Sequence, residues 1–186
     1  MEILIEGYET TFNQIRTSQS DDDRTPSKEL RISEKGIEFI KSWEALKLKA
    51  YNDSKGFCTI GYGHLIERNS CENITIPIEF QGGVIQAKAD LMFASDLAPV
   101  EKVVQNLDIP LYQYEYVALA SLLFNTGKNF FVENGAPKMY KYLQSKDYDL
   151  VANEFLDITN QGDKGLVRRR KAEYNIFTKD EYINNK

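Results

Sequence analysis

WEALKLKAYNDSKGFCTIGYGH, residues 43 to 64, is the stretch on which the reading of this chain turns. It carries acids at Glu44 and Asp53, a hydroxyl at Thr59, and a glycine-punctuated run ending in the only histidine, His64. Just upstream, Ile37, Ile40 and Trp43, with Phe39 and Leu46, recur at helical spacing, and Ser33 supplies an N-cap with Glu34 in the first turn. This pattern predicts a helix of about three turns. Past it, Asn, Asp, Ser, Lys and Gly cluster ahead of the β-favouring Phe57, Thr59, Ile60 and Tyr62, so a hairpin or small sheet should follow. Glu44 is therefore expected at a helix end, with Asp53 and Thr59 on the turn and strand beyond.

Further along, helical spacing returns over 85 to 106 through Ile85, Ala89, Met92, Phe93 and Leu97, with Pro99 expected to break the helix or begin a new one. YQYEYVALASLLFNTG, residues 112 to 127, is apolar on nearly every face around Val117 to Phe124, which predicts a buried central helix closed by Gly127. Further helices are expected over about 137 to 145, 148 to 156 and 166 to 177. In the other direction, TSQSDDDRTPSKE, residues 17 to 29, has the composition of a linker. Residues 1 to 30 are accordingly expected to form an extension, within which MEILIEGYETTFNQI reads equally as a strand, a docking segment or an arm. The fold class is α+β, mostly helical and in two lobes with one short β region: a small lobe at about 31 to 84 and a helical lobe at about 85 to 186.

Composition sets outer bounds. A chain of 186 residues, 42% hydrophobic and 27% charged, is of ordinary globular make-up and long enough to bury a core. Apolar runs such as Val117 to Phe124 fall well short of the roughly 20 residues of a membrane span. The acidic start, with Glu2, Glu6 and Glu9, lacks the basic and hydrophobic regions of a signal peptide, so synthesis in the cytoplasm is expected. Two cysteines, Cys58 and Cys71, are expected as buried reduced thiols, a single redox-sensitive bridge being the alternative. Net charge is −5, and the short RRRK run at 168 to 171 offers no nucleic-acid footprint.

Within these bounds the two acids are the chemistry to weigh. Hydrolysis of a glycosidic bond uses one carboxyl that donates a proton to the leaving oxygen and another that is ionised and activates water. Glu44, beside Trp43 on an apolar helix, suits the first role, and Asp53, amid Asn52, Ser54 and Lys55, suits the second. Thr59 adds a hydroxyl able to orient that water. Taken singly, each residue has a bland reading as surface or core, so it is the joint order that carries weight.

That order, E-x8-D-x5-T followed by I-G-Y-G-H, resembles the signature of the phage-type lysozymes and endolysins of glycoside hydrolase family 24. ISEKGIEFIKSWEALKLKAYND resembles the family's first helix and turn, and IQAKADLMFASDLAPVEKVV its bridging helix. IPLYQYEYVALASLLFNTG resembles its buried helix and GLVRRRKAEYNIF its closing G-L-x-x-R-R-x-x-E element. The resemblance spans about 33 to 178 and implies a two-lobed lysozyme-like fold that hydrolyses the β-1,4 bond between N-acetylmuramic acid and N-acetylglucosamine in peptidoglycan.

By the same resemblance Glu44 is the general acid, Asp53 the base and Thr59 the water-orienting hydroxyl, with inversion at the anomeric carbon. Leu65 and Phe124 match groove residues that contact sugar, His64 and Asp96 a structural pair, and Arg169 an arginine that reaches the catalytic glutamate. Ala45, Cys58, Met139 and Glu154 depart from the family pattern; the last two stand where some relatives have polar sugar contacts. No cofactor or metal is implied. The expected partners are peptidoglycan glycan strands and a pore-forming holin or delivery apparatus, for a monomer that acts in the periplasm or on the cell wall. A secreted antibacterial effector and an inactive glycan-binding module are the alternative readings.

Overall fold

The first helix begins where its cap residue predicts. In the computed structural model, which describes residues 23–131 and 135–184, α1 spans Glu34–Ser42 and the Ser33 hydroxyl accepts a hydrogen bond from the Gly36 amide at 3.2 Å. Its buried face is Gly36, Phe39 and Ile40. A Cβ at Gly36 would stand 2.7 Å from Val117, so only glycine lets this helix approach the central one so closely. Trp43 ends the helix, and the chain enters a three-stranded antiparallel sheet of β2 (Lys47–Asn52), β3 (Cys58–Gly61) and β4 (His64–Glu67), in that order. Between β3 and β4 the chain turns through Gly61 and Gly63 at φ 69° and 92°, a left-handed backbone that explains the G-Y-G of the motif.

The helical body is built around a buried helix. The long α2 (Gln86–Gln105) leads into it, followed by α3 (Gln113–Thr126), α4 (Pro137–Ser145), α5 (Tyr148–Phe155) and α6 (Lys164–Lys179). Every residue of α3 from Glu115 to Leu123 is buried, and Gly127, at φ 102°, closes it. Pro99 does not break α2, contrary to expectation, but lies inside it. Buried Phe93, Leu97, Val100 and Val104 run along the helix on both sides of the proline, and this packing outweighs the lost backbone hydrogen bond. The first helix, grouped with the sheet on sequence, packs instead against α3. Among the described residues no helix is long and apolar enough to cross a membrane.

Two further expectations are corrected. The described part of the supposed linker is docked: β1 (Thr25–Pro26) pairs antiparallel with β5 (Pro110–Leu111), and Leu30 lies in the core. Arg24 donates to the Glu115 carboxylate through Nε at 3.0 Å and Nη2 at 2.9 Å, with its guanidinium 4.3 Å and 4.0 Å from the Tyr112 and Tyr148 ring centres. Glu115 is buried and needs a cation, which the polar composition of the segment conceals. Residues 1–22, including MEILIEGYETTFNQI, lie outside the described residues.

The cysteines are also not free thiols, because Cys58 and Cys71 form a disulfide with Cα atoms 4.7 Å apart. A short turn at Cys71–Asn73 folds back against the sheet, where the Cys58 amide donates to the Asn69 carbonyl at 2.7 Å. Asn52 accepts from the Cys71 amide at 2.8 Å and donates to Glu72 at 2.9 Å, holding the turn beside the strand end. Hydrogen bonds from Ser70 and Asn52 hold the Glu72 carboxyl well down, at about 2.

Candidate active site

Glu44 directly follows Trp43, the C-cap of α1, its amide donating to the Lys41 carbonyl at 3.0 Å. The helix end thus fixes its backbone, and α6 fixes its side chain: Arg169 Nη1 donates to Glu44 Oε1 at 2.8 Å. Arg169 is itself buried, and its guanidinium lies 5.9 Å from the Trp43 ring centre. Glu44 keeps about a quarter of its side chain exposed, at 24%.

Asp53 is built into the turn between β2 and β3. Its Oδ1 accepts from the Lys55 and Phe57 amides at 2.8 Å and 2.9 Å, and its own amide donates to the Phe57 carbonyl at 2.9 Å. This side-chain turn explains the cluster Asn52-Asp53-Ser54-Lys55-Gly56 in physical terms. Thr59, on the central strand, is only 3% exposed and donates to the Phe57 carbonyl at 3.0 Å. It stands opposite Tyr51 on one side and Leu65 on the other, so the three share a face of the sheet.

Tyr51 is a site residue that sequence reasoning missed. Burial pushes its phenol up, and the negative charges of Asp53 and Glu44 push the same way, so this one ring lies in the field of both acids. Its place two residues before Asp53, near the end of β2, was the available signal.

A groove runs between the sheet and the helical body in two compartments that meet at Asn125. The first, about 460 Å³, is walled by Glu44, Tyr62 and Leu65 on one side and Asp96, Phe124 and Lys128 on the other. The second, about 1000 Å³, takes Ser54 and Lys55 from the turn between β2 and β3 and Asn125, Glu154, Asp157 and Arg170 from the helical body. Neither Asp53 nor Thr59 lines either compartment; Asp53 immediately precedes the two turn residues that line the second.

The remaining sequence candidates divide between groove and scaffold. Leu65 is 42% exposed on the groove wall, while Phe124 serves both groove and core, its ring 5.2 Å from Phe93. His64 Nδ1 lies 3.0 Å from Asp96 Oδ2, joining β4 to α2, with the Phe80 ring edge-on at 5.9 Å. Met139 is fully buried, whereas Glu154 lines the second compartment. Tyr62 and Asn125 were also missed, although each lies inside a quoted motif, G-Y-G and F-N-T-G.

The family model described as Phage lysozyme matches residues 41–173. The chain is 33% identical over 156 residues to an endolysin of Acyrthosiphon pisum secondary endosymbiont phage 1, covering 80% of this chain and 98% of the relative. To the endolysin of Salmonella phage P22 it is 35% identical over 154 residues, with the same coverage of 80% and 98%. Among solved structures it resembles a mutant of P22 lysozyme with a TM-score of 0.63 at 33% identity, covering 80% of this chain and 98% of that one. It also resembles the muramidase domain of SpmX from Asticaccaulis excentricus, TM-score 0.64 at 29% identity, covering 80% and 97%.

Proposed function

The chain belongs to the phage lysozyme family and is a peptidoglycan-hydrolysing glycosidase, and on that premise we propose that Glu44 is its proton donor, Asp53 its general base and Thr59 the group that orients the attacking water. The observation that carries this division is the placement of Glu44 on the groove wall with one carboxyl oxygen held by Arg169. Because Oε1 accepts from Arg169, the transferable proton resides on the other oxygen. As that proton passes to the bridging oxygen of the glycan, the bond from this oxygen to the anomeric carbon breaks. A water, giving one hydrogen to Asp53, delivers its oxygen to the opposite face of that carbon.

Thr59 has a defined part in this scheme. Its hydroxyl proton is committed to the Phe57 carbonyl, so toward a water it acts as an acceptor. A water that donates to both Asp53 and Thr59 has its lone pair directed away from both, toward the sugar. Attack from the far face inverts the configuration, a course that requires the two carboxyl groups to stand about 6.5–9.5 Å apart to leave room for the water. Leu65 and Phe124 supply facing apolar contacts for the glycan, one from the sheet and one from the helical body.

The enzyme acts on the cell wall. Release from the cytoplasm of the producing cell through a separate pore-forming holin, and action as a monomer, complete the reading, with no membrane-spanning helix among the described residues. Neither the effector reading nor the inactive binding module draws support from a particular observation. Mass spectrometry of peptidoglycan digested by the protein tests the reaction class: reducing muropeptides are expected. Anhydro products would point to a lytic transglycosylase, and intact glycan to a binding module.

A further inference from the structure

The closing motif G-L-x-x-R-R-x-x-E contributes Arg169 to the site, but its second arginine and its glutamate have no part in the reaction described so far. Both are fully buried, with Arg170 and Glu173 at 0% exposure. Glu173 Oε1 accepts from Arg169 Nε at 3.2 Å and from the Ser121 hydroxyl at 2.6 Å, while Oε2 lies 2.8 Å from Arg170 Nε. Arg170 Nη2 donates in turn to Asn125 Oδ1 at 2.7 Å, at the junction of the two groove compartments. A continuous polar network therefore runs from Asn125 through Arg170, Glu173 and Arg169 to Glu44.

We propose that Glu173 is a positioning residue for the proton donor, setting through Arg169 both the orientation of Glu44 and the charge it faces. This rests on the assignment of Glu44 as general acid. Within the network the ionisable groups are Arg169, Arg170 and Glu173 on α6 and Glu44 after α1, and from the sheet side the Tyr51 phenol faces Glu44, with the Asp53 carboxylate beyond it. From α3 the network receives only neutral groups, Ser121 and Asn125. Burial pushes the Glu173 carboxyl up, and Arg170, Arg169 and the Ser121 hydroxyl pull it back.

The consequence is a matter of charge balance. With Glu173 ionised, the three α6 groups carry one net positive charge toward Glu44. A neutral group at 173 leaves two, which favours the carboxylate form of Glu44 and removes the proton it must donate. A neutral group at 170 leaves none and favours the protonated form. Glu173 also fixes the Nε side of Arg169, so that the Nη1 side points to Glu44 in one orientation.

Three variants test this against a merely structural role: Glu173→Gln, Arg170→Gln, and the two combined. The readouts are the pH profile of kcat on soluble peptidoglycan fragments, KM, and thermal melting of each full chain. Glu173→Gln should move the alkaline limb of kcat to lower pH. Arg170→Gln should move it the other way, and the double variant should return it toward the parent position, with the KM of Glu173→Gln within about threefold of the parent. Limbs that stay in place in the folded variants, or a double variant that adds the losses of the single ones, would overturn the proposal. Should Glu173→Gln fail to fold, Arg170→Gln and the double variant still decide the matter. An inactive Glu44→Gln protein alongside unmoved limbs would retain Glu44 as the acid while removing Glu173 from its control.

Discussion

Arg169 on the last helix reaches Glu44 at the end of the first, Nη1 to Oε1 at 2.8 Å across 125 residues of sequence. The contact joins the first and last helices at the proposed proton donor. Lysine at 169 keeps a positive charge but cannot serve Glu44 and Glu173 together, because it lacks the planar fork. Arg169→Lys should therefore lower kcat by about tenfold to a hundredfold with KM little changed. Steady-state kinetics that put the whole loss in KM would assign Arg169 to substrate binding instead.

Asp53 and Thr59 stand on the turn and strand that would present water to the sugar. Asp53→Asn keeps the turn, since an amide oxygen still accepts from the Lys55 and Phe57 amides, and so isolates the loss of the base. A fall in kcat of about a hundredfold or more is expected. Thr59→Ala should lose less, and Thr59→Ser should recover most of that loss by restoring the hydroxyl. Glycan affinity, measured by calorimetry on a non-hydrolysed oligosaccharide, should change little in all three.

Residues 24 to 30 belong to the folded body, which gives truncation a sharp threshold. Removing residues 1–30 deletes Arg24 and leaves the Glu115 carboxyl buried without that partner, together with an opened site where Leu30 packs. Loss of one member of such a pair costs about 3–5 kcal/mol. Arg24→Met should reproduce most of this destabilisation in urea titration, and a chain beginning at Asp23 should escape it. Equal stability of the chain cut after residue 30 would show the docking to be incidental.

How much was legible in the sequence follows from where the deciding interactions lie. Ser33 and Gly127 announced the ends of their helices because caps are local chemistry. The grouping of Glu44, Asp53 and Thr59 was legible because all three fall within sixteen consecutive residues. Arg24 was not, since the segment has linker composition and its partners, Glu115, Tyr112 and Tyr148, all lie far along the chain, the carboxylate 91 residues away. Pro99 and Tyr51 show the same limit: packing along α2 overrides a local breaker, and a tyrosine between two acids looks like any strand aromatic until the sheet is formed. Cys58 was read by compartment when its position beside a returning turn was what mattered.

The Cys58–Cys71 bridge joins positions 13 apart in sequence and closes a loop immediately beside Thr59. Constraint of the unfolded chain over a loop of this size is worth about 3 kcal/mol. Reduction, or Cys58→Ser with Cys71→Ser, should lower the melting temperature and also slow turnover, because the strand carrying Thr59 loses its anchor. A reduced protein with unchanged melting and activity would make the bridge dispensable.

The most direct measurement is the turnover of Glu44→Gln on purified peptidoglycan, with circular dichroism and oligosaccharide binding as controls. The amide is nearly isosteric and can still accept from Arg169, but it has no acidic proton to give. The account predicts a native spectrum, glycan affinity within a few-fold of the parent, and kcat reduced by about a hundredfold to ten-thousandfold. A folded Glu44→Gln protein that releases muropeptides at the parent rate would contradict it.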